Sequence, residues 1–473
     1  MIGEEGFLGL TAGSLSLREP VFVDAGTSVA GAARAMRAAR ATACLAGTPE
    51  APAGIVTERD IVRAVAEGMD LKAPISAIMT PGVVSVSSGE LVAEAFLAMI
   101  RHNIRRLAVT NGDGRVTAML EERDLMAARL ESPVAIAAAI SRAADGEELA
   151  RAYSGLAEVL PRWLDQGADV SQAGALAAAV RDQLFARAAE LALGQGPDPG
   201  PVALVALGSE GRREQFLATD QDNALVLGQD ADPVRAEAFA VRLMSVLSQA
   251  GLPPCAHGVT ADRPAWRMTL PAWRERLSEL ARDLGPDAVL ALSLLADARH
   301  VSGSPALSEG LGRALADAIR ENPRALRYMA REAVRFEPPV SVFGALVTEK
   351  AGPRRGGLDI KRGGVFPLTQ GARVLALQYG VPRTDTASRL DGAARAGVLT
   401  ADTAGDLTQA MEFMQELRLR FQAEAVALGR EPDSYVYPER ISRLERSRLK
   451  ECFKAVAAFQ SILSNKYQLH LLT

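Results

Sequence analysis

The chain repeats itself within its first 130 residues, and that repeat constrains the fold more than any other feature. Thr57-Glu58-Arg59-Asp60 in AGIVTERDIVRAV returns 64 residues later as Glu121-Glu122-Arg123-Asp124 in TAMLEERDLMAAR. Each copy is preceded by the same order of elements: a short strand (PVFVDAG or GVVSVSSG), an amphipathic helix (SVAGAARAMRAAR or LVAEAFLAMIRHN) and two further strands. A strand and helix order preserved at this period implies two copies of one small α/β unit, packed as a pair over residues 15–130. Asp60 and Asp124 both precede apolar helical patterns, where Asp is a favoured N-cap.

Beyond the repeat the pattern changes. Residues 131–195 read as an alanine-rich helical linker segment: EELARAYSGLAEVLPRWL and ALAAAVRDQLFARAAELAL carry apolar residues at three and four spacing, as packed helices do. GQGPDPGP, from Gly194 to Pro201, then breaks the helix. PVALVAL, from Pro201 to Leu207, is apolar and β-branched enough for a buried strand, and ALVL, from Ala224 to Leu227, reads as the next one. From Ala306 to Thr473 the pattern is mostly helical, interrupted by a basic, glycine-rich loop, GPRRGGLDIKRGGVFPL. The expected class is a multidomain α/β and α chain. Its parts are the repeat pair at 15–130, the linker at 131–195, a mixed-sheet core at 196–305 and a helical C-terminal domain at 306–473.

Between the two expected strands lies GSEGRREQFLATDQDN, from Gly208 to Asn223. Gly208 and Ser209 would let the backbone approach a triphosphate, with N–H groups and the Ser hydroxyl as donors. Arg212 lies in the same turn and could pair with phosphate oxygens through its planar fork. On an extended chain positions i and i+2 point to one side, so Asp220 and Asp222 would present two carboxylates to one point. Like charges that close repel unless a cation sits between them, and holding Mg²⁺ (or Mn²⁺) against phosphates is the simplest use of such a pair. Two-metal transferases usually add a third carboxylate from a later strand. GLPPCAHGVTADRPAW, from Gly251 to Trp266, offers only Asp262, at its far end. Asp297 in LLADARHVSG is the remaining candidate, either as a third acid or as a salt-bridge anchor for Arg299. Lys361, in the basic loop, sits where a positive edge could face a nucleotide or an acidic partner protein.

Gly-Ser followed at this spacing by Asp-x-Asp resembles the signature of the nucleotidyltransferase superfamily that includes DNA polymerase β. GSEGRRE and TDQDN look like the nucleotidyltransferases related to the bacterial PII uridylyltransferase, and GGLDIKRGG, GARVLALQYG and YVYPERISRLERSRLKECFKAV resemble the substrate-binding domain that accompanies them. The repeat resembles CBS domains, which come in tandem pairs and commonly bind adenosine nucleotides in the clefts between copies. Thr57 and Asp60 match the Thr and Asp that in that family contact ribose and phosphate. The second copy keeps Asp124 but has Glu121 in place of the Thr, and a carboxylate there would repel phosphate while still accepting from a ribose hydroxyl. One good nucleotide site is therefore expected.

A chain of 473 residues with 48% hydrophobic content has ample material for several packed cores. The net charge of −4 and the lack of an aromatic-rich basic patch count against a nucleic-acid partner. Cys44, Cys255 and Cys452 are scattered without a CxxC pair and read as reduced thiols of a cytosolic compartment. MIGEEGFLGL carries acid where a signal peptide needs base, and no apolar run approaches the roughly 20 residues of a membrane span. A cytoplasmic protein without a membrane partner is expected. The resemblance implies a Mg²⁺-dependent transfer of a nucleoside monophosphate from an NTP to an acceptor hydroxyl, with a regulatory protein as the candidate acceptor. It also implies an adenine-nucleotide-sensing CBS pair that shifts the population of active conformers, and association as a homodimer. The competing reading is a regulatory or adaptor protein whose transferase fold binds nucleotide and is catalytically silent.

Overall fold

The fold is that of a computed structural model, which describes residues 11–472 apart from 16, 123, 125–132, 166–167, 218–219 and 342–343. Arg123 and the helix expected after Asp124 therefore lie outside the described residues. The chain divides into two compact units, one of Met1–Ala138 with Arg162–Ala168, the other of Ala139–Pro161 with Asp169–Thr473.

The first unit contains the repeat. Copy one runs β1 (Phe22–Val23), α1 (Val29–Ala38), β2 (Ala43–Gly47), β3 (Pro52–Thr57), α2 (Glu58–Ala66) and β4 (Thr80–Pro81); copy two runs β5 (Ser85–Ser87), α3 (Val92–His102), β6 (Arg106–Thr110) and β7 (Val116–Glu121). In each sheet the first strand pairs parallel with the second, which pairs antiparallel with the third. Phe22 pairs with Leu45, and Val86 with Val109. These are equivalent positions under the 64-residue displacement, so the repeat is one of register as well as of sequence. Val29, Ala32 and Met36, at helical spacing on α1, are buried against Cys44, Ala46 and Val56. Leu45 joins Ala108, Val116 and Met119 of the other copy in one apolar cluster, which ties the two copies together. Asn103 ends α3 in the left-handed conformation, at φ 49°.

The second unit is organised around a four-stranded sheet of order β10-β9-β8-β11. Its strands are β8 (Val202–Ala206), β9 (Asn223–Leu227), β10 (Arg267–Thr269) and β11 (Arg299–Gly303). Ala206 is paired with Asn223 on one side and with Arg299 on the other. The connection from 207 to 222 therefore leaves and re-enters the sheet at the same end at which β11 begins. The helix α4 (Val170–Gly194), capped by the Asp169 side chain, precedes this sheet and buries small residues such as Ala173, Ala177 and Ala188. The C-terminal part contains the pair β12 (Leu358–Asp359) and β13 (Tyr435–Val436), a π-helical turn Lys361–Val365, and the helices α5 (Phe366–Tyr379), α6 (Thr386–Arg395), α7 (Ala401–Ala427) and α8 (Arg443–Tyr467). One apolar core runs from Ala203 and Val205 through Trp273 and Leu368 to Phe453 and Phe459. It continues across residue 305, where the sequence suggested a boundary, because sheet and helices cover each other's apolar faces.

Candidate active site

The motif is built on close approach of its own two ends. The Leu207 amide donates to the Asp222 carbonyl at 2.9 Å, so the residue before the Gly-Ser turn lies beside the acid pair. Gly208 to Gly211 form a single helical turn entered at φ 55° by Gly208, a conformation that favours glycine. A Cβ on Gly208 would stand 2.9 Å from Asp222 Oδ2, and one on Gly211 would collide with the carbonyl oxygen of Asp297. Both glycines are thus required by what lies against them.

Asp220 and Asp222 flank Gln221, which is fully buried, with its amide donating to the Pro253 carbonyl at 3.0 Å and its side chain to the Leu252 carbonyl. Gln221 faces inward and the two aspartates face away from it, as alternation on an extended chain requires. Asp220 is exposed and Asp222 half-buried. Ligand atoms of Asp220, Asp222 and Cys255 all lie within 4.8 Å of one another. Two carboxylates and a sulfur at that separation fit a single divalent cation. Burial pushes the Asp222 carboxyl up; the Asp220 charge adds to the rise, while the Cys255 hydrogen bond and the Lys361 and Arg212 charges oppose it. Burial, followed by the hydrogen bond to Asp222, pushes the Cys255 thiol up to about 11.

Two buried charge networks hold the turn. Arg181 on α4 pairs with Glu210 and donates to the carbonyls of Gln215 at 2.6 Å and Phe216 at 3.2 Å. Arg299 at the start of β11 donates to Asp182 at 2.6 Å and to Glu210. In the second network the Arg212 guanidinium is buried between Glu214, at 2.7 Å, and Asp297, at 2.5 Å. Asp297 also accepts from Arg373 on α5 and from Arg389 on α6. Burial alone would raise the Asp297 carboxyl, but Arg373, Arg212 and Arg389 together hold it well below the usual carboxylate range. The Thr386 amide completes the brace by donating to Glu214 at 2.7 Å.

Three sequence expectations are corrected by these contacts. Asp297 is not a third acid beside Asp220 and Asp222, since it is fully buried and both its oxygens are taken by guanidinium groups. Nor does it anchor Arg299, whose carboxylate partners are Asp182 and Glu210. Arg212, expected at the phosphates, is committed to Glu214 and Asp297 and is 7% exposed. Asp262 accepts from Thr260 and is outside the metal-capable group. Cys255, the third member of that group, lies in the 251–266 segment, whose one acid is Asp262. Gln215 was also missed: it accepts from the Ser209 hydroxyl at 3.2 Å and donates to Asp220, joining the two halves of the motif. Lys361 opens its π-helical turn with solvent contact. Crowding by protein pushes its ammonium pKa down, Arg418 and Arg212 adding to the effect, and Asp220 and Asp222 pull it back.

In the first unit, Thr57 is the N-cap of α2 and Asp60 its third residue, reaching back to the Thr57 amide at 2.9 Å in a capping box. Asp60 therefore stabilises the helix start from inside it instead of acting as the cap. Arg63 holds its other oxygen at 2.8 Å. Asp124 repeats the contact on the Glu121 amide, at 2.8 Å. The Glu121 side chain accepts from Thr42 of the other copy at 2.8 Å, and Arg106 donates to the same Thr42 hydroxyl at 3.2 Å.

Residues 154–287 match the family described as "Putative nucleotidyltransferase DUF294", and residues 323–467 the "Putative nucleotidyltransferase substrate binding domain". Residues 12–67 and 75–131 match the CBS domain. The chain is a CBS-domain member of this nucleotidyltransferase family. A CBS domain-containing protein of Arabidopsis thaliana is 32% identical over 144 residues, which are 29% of this chain and 26% of that protein. An uncharacterized 17.7 kDa protein of Acidianus ambivalens is 35% identical over 78 residues, 16% of this chain and 47% of that one. The chain thus spans about a quarter and about half of the length of these curated relatives. Among solved structures, a CBS domain protein of Pyrobaculum aerophilum complexed with AMP is 31% identical, covering 24% of this chain and 90% of that one at a TM-score of 0.24. A CBS-domain protein of Agrobacterium tumefaciens is 28% identical, covering 24% and 91% at a TM-score of 0.22. Among the described residues no helix is long and apolar enough to cross a membrane.

Proposed function

We propose that the second unit transfers a nucleoside monophosphate from an NTP to an acceptor hydroxyl and that Asp220 and Asp222 hold the Mg²⁺ or Mn²⁺ the transfer needs, with the neutral Cys255 thiol beside them. The observation that carries this reading is the convergence of those three side chains beside the Gly208 turn in a chain of this family. A divalent cation bound there would neutralise phosphate charge and make the α-phosphoryl group more electrophilic. Gly208 lets the backbone come close to the phosphates, and Ser209 turns its hydroxyl toward the acid pair through Gln215. In the reaction, the acceptor oxygen forms a bond to the α-phosphorus, the bond from that phosphorus to the bridging oxygen breaks, pyrophosphate leaves, and the hydroxyl proton passes to solvent. Asp297 and Arg212 are positioning residues, fixing the turn from behind.

The acceptor in this reading is a regulatory protein, by likeness of the GSEGRRE and TDQDN segments to the PII uridylyltransferases. The CBS pair binds an adenine nucleotide beside Thr57 and Asp60 and shifts the population of competent conformers. The experiment is incubation of the full chain with each NTP labelled at the α-phosphate, Mg²⁺ or Mn²⁺, and lysate. Label on an acceptor that disappears in Asp220→Ala and Asp222→Ala, with unchanged melting, supports the transferase. No label with any nucleotide leaves the adaptor reading. Calorimetric titration with AMP, and with the Thr57→Ala variant, checks the first unit independently.

A further inference from the structure

We propose that Arg418 and Lys361 form an anion subsite on the C-terminal helices that takes the terminal phosphates of a triphosphate. The proposal deepens the transferase reading and rests on Asp220 and Asp222 being its metal-binding pair. Six arginines of the described chain are buried: Arg181, Arg212, Arg299, Arg373, Arg389 and Arg418. Five are ion-paired, with Glu210, Asp182 or Asp297. Arg418, in the middle of α7 and 4% exposed, is not. Its Nε donates to Ser434 Oγ at 3.1 Å and its Nη1 to Gln415 Oε1 at 3.3 Å, and Nη2 has no partner among the described residues. No carboxylate of the described residues stands within ion-pair distance of Arg418, and the charges of Asp359 and Glu214 reach it only from further off. A buried guanidinium compensated at that distance is costly, and the ordinary remedy is an anion in direct contact.

The placement says which anion. Ser434, which holds Arg418 through its hydroxyl, also accepts from the Ile360 amide at 3.1 Å through its carbonyl, and Lys361 is the next residue. One turn further along α7, Gln422 accepts from the Leu217 amide at 3.3 Å, three residues ahead of Asp220. The same stretch of α7 thus touches both the basic loop and the motif loop. Lys361 feels the charges of Arg418 and Arg212 as repulsion and those of Asp220 and Asp222 as attraction. Two cationic side chains beside two acids suit a ligand that brings several negative charges and a divalent cation together, which is a polyphosphate end. A monophosphate would leave the subsite unfilled. Arg418 supplies directed donors and Lys361 a mobile point charge.

The test is calorimetric titration of the full chain with inorganic tripolyphosphate in EDTA, followed by an NTP and the matching NMP with Mg²⁺. The expected result is tripolyphosphate binding to the wild type that weakens at least about tenfold in Lys361→Ala and in Arg418→Gln, with Arg418→Lys, which keeps the charge and loses the directed donors, falling between Arg418→Gln and the wild type. The NTP should lose affinity in the same variants and the NMP should not. Lys361 keeps solvent contact, so its variant reads the subsite even if Arg418→Gln fails to fold. Absence of tripolyphosphate binding, or equal binding by the Lys361→Ala chain, overturns the proposal. Tripolyphosphate binding without transfer of label from any NTP leaves the subsite standing and removes the transferase reading; transfer with NTP affinity unchanged in Lys361→Ala does the reverse.

Discussion

Asp297→Asn keeps the shape of a fully buried side chain and removes its charge. In the native chain Oδ2 accepts from Arg212 at 2.5 Å and Arg373 at 2.5 Å, and Oδ1 from Arg389 at 2.6 Å and Arg373 at 3.1 Å. Breaking one buried pair by neutralising one partner costs about 3–5 kcal/mol, because the other charge is left uncompensated. The three guanidiniums do not multiply that figure, since Arg212 keeps Glu214, Arg373 keeps Gln370 and Arg389 keeps the Ala296 carbonyl. The second unit has about 330 residues, and at roughly 2.1 cal/mol/K of unfolding entropy per residue each kcal/mol lowers the melting temperature by roughly 1.5 °C, so this unit should melt roughly 4–7 °C lower. Scanning calorimetry of the full chain measures this as an apparent transition, because two units need not unfold together. The pH dependence has a defined sign. A carboxyl held below its unfolded value of about 3.9 stabilises fully above that pH and loses its contribution as pH falls below it. The gap between wild type and variant should therefore stay constant from about pH 5 to 8 and narrow only in acid below about pH 4. A transition within about 2 °C of wild type, or a gap that changes across neutral pH, refutes the argument.

Asp222→Asn should abolish transfer while leaving the ligand-free chain as stable or slightly more so. The raised Asp222 pKa means that its ionised form is penalised once pH exceeds the unfolded value, so the gain in melting temperature should be larger at pH 7 than at pH 4. Gly211→Ala drives a methyl group into the Asp297 carbonyl, and a loss of about 1–3 kcal/mol is expected in denaturant titration of the second unit; an unchanged midpoint would mean the 297 turn yields freely. Cys255→Ser should weaken binding of thiophilic Cd²⁺ by calorimetry far more than binding of Mg²⁺, and equal effects on both would remove the sulfur from the metal-capable group.

Local pattern was enough for the parts of the fold that are local. PVALVAL and ALVL became β8 and β9, and the i, i+2 relation of Asp220 and Asp222 held because Gln221 between them pairs with the 253 segment and keeps the chain extended. The 64-residue repeat carried through to strand register. Asp297 was misread because its partners Arg373 and Arg389 are 76 and 92 residues away, and nothing in LLADARHVSG reveals them. Arg212 was misread for a related reason: a turn's spacing does not say which of its residues faces inward. Cys255 carries no metal signal in the sequence, since it has no CxxC partner, and it is the parallel contact of Gln221 with Pro254 that brings its thiol to the acids. Arg418 carries no local signal at all, since a lone arginine in a long helix gains meaning only once packing has buried it without an ion pair among the described residues.

The central claim is that the second unit moves a nucleotidyl group by means of Asp220 and Asp222. It is tested most directly by giving the chain, Mg²⁺ or Mn²⁺ and lysate the same NTP labelled at either the α- or the γ-phosphate. The account predicts acceptor label from the α-labelled nucleotide alone, release of labelled pyrophosphate from the γ-labelled one, and neither in a folded Asp220→Asn or Asp222→Asn chain. Label carried over from the γ-phosphate, or α-label that persists undiminished in those two variants, would contradict it.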